Sequence, residues 1–568
     1  MTRRRTLSIV EAILALLVIV GLALGGIALR KKVWYATEFL RFDGDMQNGW
    51  NWGSRAAKDG YFGLYDDVVA HSINNAYFLD YLPLRLAAMT VWAKTELARL
   101  PDVKTWQPDF EFNRPVMRFN TVCEGMTALG VLLLAWDWLR RDRQASLNPP
   151  RRPMSGVWLA ILAGAIAWFS PASLVSSHGR PTWDVWVTPF YVWAVFLAGR
   201  NLWLTAGCVV GVGALFKGQQ LFGAPLFLLW PLMRFRFGAA GRFVIGFAVA
   251  VALVTSPWMV GTSFSAIAFV VAVAWLPVGV WLLLTGFPIA GRRMPAGWLR
   301  WLVPSMAALA IWLCVPLFGG SINWLRVGLI YGAEKFDSLE VGRTISFAGV
   351  LQTDYRWQSK DLVPALQNIW PGLTISHLLM GLFAVCLLLA AWSAGRYEKR
   401  GDKRFLLAIA LPWIAYFAFF PRMHERYLLW GATLACMAIV VNLGSFWLGL
   451  FFMLCSTSMS LMQMAESKML VAFATRTPPL DLTRDIYEWL KPTYPGAGWA
   501  VTTATVAWLW ITIAGAAGRR KQCTPISSKT NATAEAVDSL PAEPRPHEPS
   551  VASASASRSP CLPTPLPA

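Results

Sequence analysis

Side chains able to move a proton or hold an anion cluster in four short stretches of this sequence. Asp43 and Asp45 stand in RFDGDMQNGWNW, residues 41–52; His178, Arg180 and Asp184 stand in SSHGRPTWDVW. Lys217, Gln219 and Gln220 follow in ALFKGQQLF, and Arg422, His424, Glu425 and Arg426 form PRMHERY. A carboxylate can take the proton of an attacking hydroxyl, and Lys and Arg can hold a phosphate until it leaves. The spacing Asp43-Gly44-Asp45 also suits a divalent cation, because hard cations want several carboxylate oxygens. Each group has a plainer use as well. Lys217 can snorkel to an interface, and His178 and His424 can cap helices or satisfy carbonyls. Glu425 can pair with Arg422 or Arg426 in a tight turn, and Arg118 with Glu124 across a helix turn and a half.

These stretches are separated by long apolar runs. Of 568 residues, 56% are hydrophobic, 13% aromatic and 15% charged, far more apolar surface than a soluble fold needs to bury. The chain therefore reads as an all-α polytopic membrane protein. Runs long enough to cross the hydrocarbon core fall at about 8–29, 118–139, 157–176, 184–199, 202–217, 220–235, 242–262, 265–287, 299–318, 371–393, 405–420, 427–442, 445–464 and 498–517, about fourteen helices. The net charge of +19 reports topology rather than nucleic acid, because Lys and Arg gather in short loops such as RRDRQASLNPPRRP and GRYEKRGDKR. Six of the eight cysteines, Cys123, Cys208, Cys314, Cys386, Cys436 and Cys455, lie in apolar runs, where a thiol acts as a small hydrophobe.

Residues 1–29 read as an uncleaved signal anchor with a cytosolic N-terminus, since the apolar run ends on Arg30, Lys31 and Lys32 without a small-residue cleavage site. Residues 30–117 form a large first external loop with eleven acidic and eleven basic residues. Within it, YLPLRLAAMTVWAKTELARL at 81–100 carries Arg85, Lys94, Glu96 and Arg99 and fits an interfacial helix better than a span. A span there would place RRDRQASLNPPRRP on the wrong face. The remaining divisions are a transmembrane bundle at 118–318, a long external loop at 319–370, a second bundle at 371–518, and a Ser/Pro/Ala-rich cytosolic tail at 519–568, too poor in large apolar residues to pack. All four charged stretches then converge on the external side. Charges at a span edge are costly unless paired or used, so their convergence suggests a site for an anionic lipid headgroup.

RFDGDMQNGWNW, with Asp45 and Trp52 seven apart, is followed in order by YLPL, RPVMRFNTVCEG, SSHGRPTWD, ALFKGQQLFGAPL and PRMHERY. This ordered set resembles motifs of the GT-C glycosyltransferases, nearest to the polyprenyl-phosphate-glucose-dependent glucosyltransferases of N-glycan precursor assembly and their bacterial relatives. The likeness covers the segments up to about 230 and again around 420. It departs from the pattern in YLPL, which lacks one proline, in HGRPTWD, which lacks an aromatic-Gln-Tyr-Asn turn, and in HER, which replaces HEK. The resemblance implies a GT-C-like bundle and an inverting transfer of a hexose from a polyprenyl-phosphate-linked sugar donor to a glycan or lipid-linked acceptor. It assigns Asp45 as general base. Lys217, His424 and Arg426, with His178 and Arg326, fall to the donor phosphate. Arg326 lies in GGSINWLRVGLIYGAEKF, at the start of the later loop. Asp43, Trp52, Gln220 and Glu425 fall to substrate. No cofactor and no metal is expected, and the partners are the donor, the acceptor and membrane lipid.

Two other readings use the same residues. Asp43 and Asp45 could hold a metal in an oligosaccharide transferase, although that class wants a large soluble C-terminal domain. A transporter or flippase of lipid-linked sugars would want polar residues at mid-membrane in broken helices, whereas here the charges gather at one face. The single Asn-x-Ser/Thr site, Asn531-Ala532-Thr533, lies in the tail, which favours a bacterial plasma membrane over the endoplasmic reticulum.

Overall fold

The computed structural model describes residues 2–41, 44–71, 79, 81–145, 155–259, 321–330, 338–475 and 481–518. Asp43, the expected spans 265–287 and 299–318, and the tail lie outside the described residues. The described chain is helical, with one short pair of strands.

Among the described residues, seven helices are long and apolar enough to cross a membrane: Ile9–Ala36, Phe110–Gln144, Gly156–Gly179, Phe237–Ser256, Ile375–Arg400, Leu443–Ala472 and Gly496–Ala517. The chain is thus a multi-pass helical membrane protein. Four more of the expected spans form shorter apolar helices, Asp184–Gly199, Trp203–Phe216, Gln220–Leu232 and Phe405–Phe419. At about 1.5 Å per residue these fall short of a hydrocarbon core about 30 Å thick. Composition marks them as spans because a buried core helix is as apolar as a lipid-facing one. Phe405–Phe419 makes the point, since all fifteen of its residues are buried. The expected span 427–442 is likewise a short helix, Leu428–Ala435, followed by a 3-10 turn, Cys436–Val440.

Helix α1, Thr2–Ala36, exposes Ile9, Leu16, Leu17 and Leu24, as apolar side chains facing lipid would be. Among the described residues three helices come between it and the next long span: α2 (Gly44–Asp59), α3 (Leu64–His71) and α4 (Pro83–Arg99). The stretch at 81–100 is therefore a 17-residue helix outside the long apolar set. Pro83 starts it at a position that needs no backbone donor. Helices α2 and α4 approach closely at Gly53, where a Cβ would meet the Met89 carbonyl oxygen. Trp50 is packed 5.6 Å from Trp92 and 4.6 Å from Phe112, which joins this pair to helix α5, Phe110–Gln144. Asp109 caps α5 by accepting from the Phe112 amide at 2.8 Å.

Helix α6, Ser155–Trp168, breaks at Ser170-Pro171 and ends in a π turn, Val175–Gly179, that leads into GRPTWD. Wide turns of this kind recur where a helix must deliver a side chain. The helices Trp203–Phe216 and Phe237–Met259 pack backbone to backbone: a Cβ on Gly207 would meet the Phe243 carbonyl, one on Gly246 the Leu204 carbonyl, and one on Gly211 would lie 2.8 Å from the Phe247 carbonyl. Gly207 and Gly211 form the small-xxx-small spacing that permits such contact in lipid. In the later loop, β1 (Glu340–Val341) pairs in parallel with β2 (Met423–His424), Glu340 opposite Met423 and Val341 opposite His424.

Candidate active site

Asp45 lies in the first turn of α2, where the positive end of the helix dipole favours a carboxylate. Its Oδ2 accepts from Arg426 Nη1 at 2.5 Å, while Arg426 Nε lies 3.0 Å from Asp184 Oδ2. Asp184 Oδ1 accepts from Lys217 Nζ. Asp184 is fully buried, whereas the Asp45 side chain keeps 21% of its surface. Asp45 is thus the carboxylate of this chain of ion pairs that other molecules can reach.

The PRMHERY turn presents Arg426. The Arg422 amide donates to the Leu339 carbonyl at 2.6 Å, and Arg422 itself sits at φ 63°, a backbone conformation that side chains other than glycine adopt at a cost. Pairing of β1 with β2 anchors Met423 and His424, and so sets where Glu425 and Arg426 emerge. Glu425 Oε1 accepts from Arg180 Nη1 at 2.6 Å and its Oε2 lies 3.7 Å from His424 Nδ1. Tyr427 and Trp430 stack at 4.7 Å, and Lys217 Nζ stands 5.1 Å and 5.2 Å from their ring centres. The Trp430 indole donates to the Asp184 carbonyl at 2.7 Å. Arg85, on α4, is buried between Tyr81 and Trp183, its guanidinium carbon 3.5 Å and 4.0 Å from their ring centres.

Electrostatically, burial pushes the Asp45 carboxyl up, and the Arg426, Arg180 and Arg85 charges with the Arg426 hydrogen bond outweigh it, so Asp45 ionises below its ordinary range. Glu425 behaves alike: burial opposes ionisation, and Arg180, His424 and Arg426 together hold it well below the usual carboxylate range. Burial opposes the Arg426 charge too, but Asp45 and Glu425 fix it as a cation. His424 is pushed down by burial against the pull of Glu425, which keeps it neutral at pH 7. Among the described residues the cluster therefore holds four cations, Arg85, Arg180, Lys217 and Arg426, against three carboxylates, Asp45, Asp184 and Glu425. Among these side chains cations outnumber carboxylates beside a partly exposed carboxylate, a setting that suits an anionic ligand.

Of the residues singled out by sequence, Asp45, Lys217, His424, Glu425 and Arg426 come together. Trp52 is buried as an aromatic wall, 5.2 Å from Tyr81 and 5.9 Å from Trp183. Gln220 is fully buried next to the Lys217 turn, and among the described residues neither its amide oxygen nor its nitrogen has a hydrogen-bond partner. Such a group is costly, by about 1–3 kcal/mol, unless something satisfies it. His178 belongs to another network: its Nδ1 is 2.7 Å from Ser177 Oγ and 3.7 Å from Glu124 Oε2, and its Nε2 is 3.2 Å from Thr121 Oγ1. Glu124 pairs there with Arg30 of α1 at 2.7 Å, so its partner is not Arg118. Arg326 opens a π turn that packs Gly328 and Leu329 onto Leu82 and Gly218; among the described residues no ion pair joins it to the cluster.

Asp184, Arg180 and Arg85 are residues to which the sequence assigned no role in the site and which the tertiary structure brings into it. Asp184 and Arg180 are visible as charges in GRPTWD, but no spacing rule pairs them with residues more than two hundred positions later. Arg85 reads by sequence as a mark of an interfacial helix. Among the described residues no three of His, Cys, Asp and Glu gather as a metal-holding group. The chain matches no model of a known protein family and no curated protein.

Proposed function

We propose that this protein is an integral membrane inverting glycosyltransferase of the GT-C type, moving a hexose from a polyprenyl-phosphate sugar to an acceptor hydroxyl on the non-cytosolic face. The observation that carries the reading is the Asp45–Arg426–Asp184–Lys217 chain of ion pairs, in which Arg426 meets a reachable carboxylate and a buried carboxylate links it to Lys217. In the reaction the acceptor oxygen bonds to C1 of the sugar and passes its proton to Asp45. The bond from C1 to the phosphate oxygen breaks, and the polyprenyl phosphate departs with both electrons and one more negative charge. Lys217 and Arg426 offset that charge, so the leaving group needs no general acid. A donor phosphate drawing on Arg426 weakens its hold on Asp45 and so makes Asp45 a better base. Glu425 and Arg180 fix the turn that presents Arg426. The Gln220 amide, buried beside the Lys217 turn, suits a sugar hydroxyl.

The test is an assay of the purified protein with a panel of polyprenyl-phosphate sugars and glycan acceptors, with and without chelator. Transfer with inversion at C1 is expected. A chelator-sensitive reaction would shift the reading to a metal-dependent oligosaccharide transferase using Asp43 and Asp45. If no sugar is transferred and the reconstituted protein instead moves lipid-linked sugar between leaflets, the transferase reading falls to the transporter.

A further inference from the structure

A second feature adjoins the ion-pair cluster on the side of the later loop. Between the segment that carries β1 and the long helix Leu443–Thr475 lies a cavity of about 350 Å³, lined by Glu340, Gly342, Arg343, Gln352, Gln463, Glu466 and Leu470. This is within the range of about 300–1,000 Å³ common for small-molecule sites. Among the described residues that line it, Leu470 is the one large apolar side chain and five carry polar or charged side chains.

Two of the polar groups are already engaged in holding the loop. Gln352 Oε1 accepts from the amides of Leu339 and Glu340 at 2.8 Å and 3.0 Å, and Glu340 Oε2 accepts from the Thr344 amide at 2.8 Å. The others keep capacity. The Gln463 side-chain amide makes no hydrogen bond among the described residues, and Arg343 meets Glu466 at 3.4 Å, leaving further donors and acceptors on both. An amide, a carboxylate and a guanidinium side by side offer both donors and acceptors, the set that vicinal hydroxyls require.

Gly342 forms the wall between this cavity and the cluster. A Cβ built on it would lie 2.9 Å from Glu425 Oε2 and 3.6 Å from Gln463 Oε1, and its φ is 83°. A side chain at that position would close the gap between the cavity and the PRMHERY turn. Charge separates the two compartments as well. The cluster has a surplus of cations, whereas the cavity sets Glu340 and Glu466 against Arg343, so an anionic phosphate is drawn to the first and repelled from the second.

We infer that this cavity is the subsite for a neutral sugar of the acceptor, read by Gln463, Glu466 and Arg343, with the donor phosphate excluded from it. The acceptor role rests on the transferase reading, while the sugar site itself stands on the cavity. It is tested without any donor, by saturation-transfer NMR on the protein in nanodiscs with methyl α-D-mannopyranoside, methyl α-D-glucopyranoside and methyl β-D-galactopyranoside. At least one glycoside is expected to receive saturation, weakened at least about fivefold in Gln463→Leu and in Glu466→Gln, and not displaced by inorganic phosphate. Unfolding temperatures equal to wild type certify the variants, and Glu466→Gln, on a partly exposed side chain, serves if Gln463→Leu does not fold. Saturation of no glycoside, or saturation that ignores both substitutions, overturns the subsite. Where transfer is measurable, Glu466→Gln raises KM for the acceptor and leaves KM for the donor; the reverse pattern also overturns it. Glycoside binding with no transfer from any donor would leave a sugar site and remove the transferase reading instead.

Discussion

Arg426 reaches Asp45 at 2.5 Å across 381 positions of sequence and meets Asp184 at 3.0 Å with its Nε edge. One planar cation thereby stands between a reachable carboxylate and a buried one, an arrangement that suits a guanidinium fork and not an ammonium.

Asp45→Asn removes the charge and keeps the shape. The variant is expected to insert and fold as wild type does and to lose transfer by roughly 10²–10⁴-fold, the size of a general-base contribution. Transfer from a polyprenyl-phosphate sugar at the wild-type rate would sink the assignment of Asp45.

Arg426→Lys keeps the charge at this position and loses the fork that spans Asp45 and Asp184. Donor KM is expected to rise and kcat/KM to fall by about 10- to 100-fold, about 1.4–2.7 kcal/mol of transition-state stabilisation. Steady-state kinetics with varied donor checks this; an unchanged kcat/KM would show that the guanidinium does not serve the donor phosphate.

Acid is expected to destabilise the turn around His424, and two kinds of group set the sign. Burial lowers the His424 pKa from 6.5 against Glu425, so the unfolded chain binds that proton more tightly and stability falls as pH drops below 6.5. Asp45 and Glu425 ionise below their ordinary values of 3.8 and 4.5 because their cationic neighbours outweigh burial. Their contribution is present above those values and is lost as pH falls further. Both effects run the same way. Thermal unfolding in nanodiscs is expected to occur at lower temperature at pH 5 than at pH 7.5, with a smaller difference in His424→Gln; a Tm that rises on acidification contradicts the electrostatics of the cluster.

Gly207→Leu places a side chain against the Phe243 carbonyl at the closest approach of two helices. Overpacking of this kind costs about 1–3 kcal/mol or more, so a lower Tm is expected. Gly199→Ala, where a Cβ meets nothing within 4 Å, is the control and is expected to leave Tm near wild type.

Sequence alone determined that the chain is a helical, multi-pass membrane protein, because apolar run length and the scarcity of charge answer directly to the thickness and dielectric of a bilayer. It also marked most of the charged residues that meet in the cluster, since a charge among apolar runs is conspicuous wherever it stands. It did not separate lipid-facing helices from core helices such as Phe405–Phe419, for burial against protein and burial in lipid select the same side chains. Nor did it pair the charges. His178 and Arg180 are two residues apart, yet one joins Glu124 and the other Glu425. Arg426 chose Asp45 and Asp184 over its neighbour Glu425, which went to Arg180. A Coulomb pair depends on distance in space and on desolvation, and both were decided only when the helix ends and the later loop came together around PRMHERY.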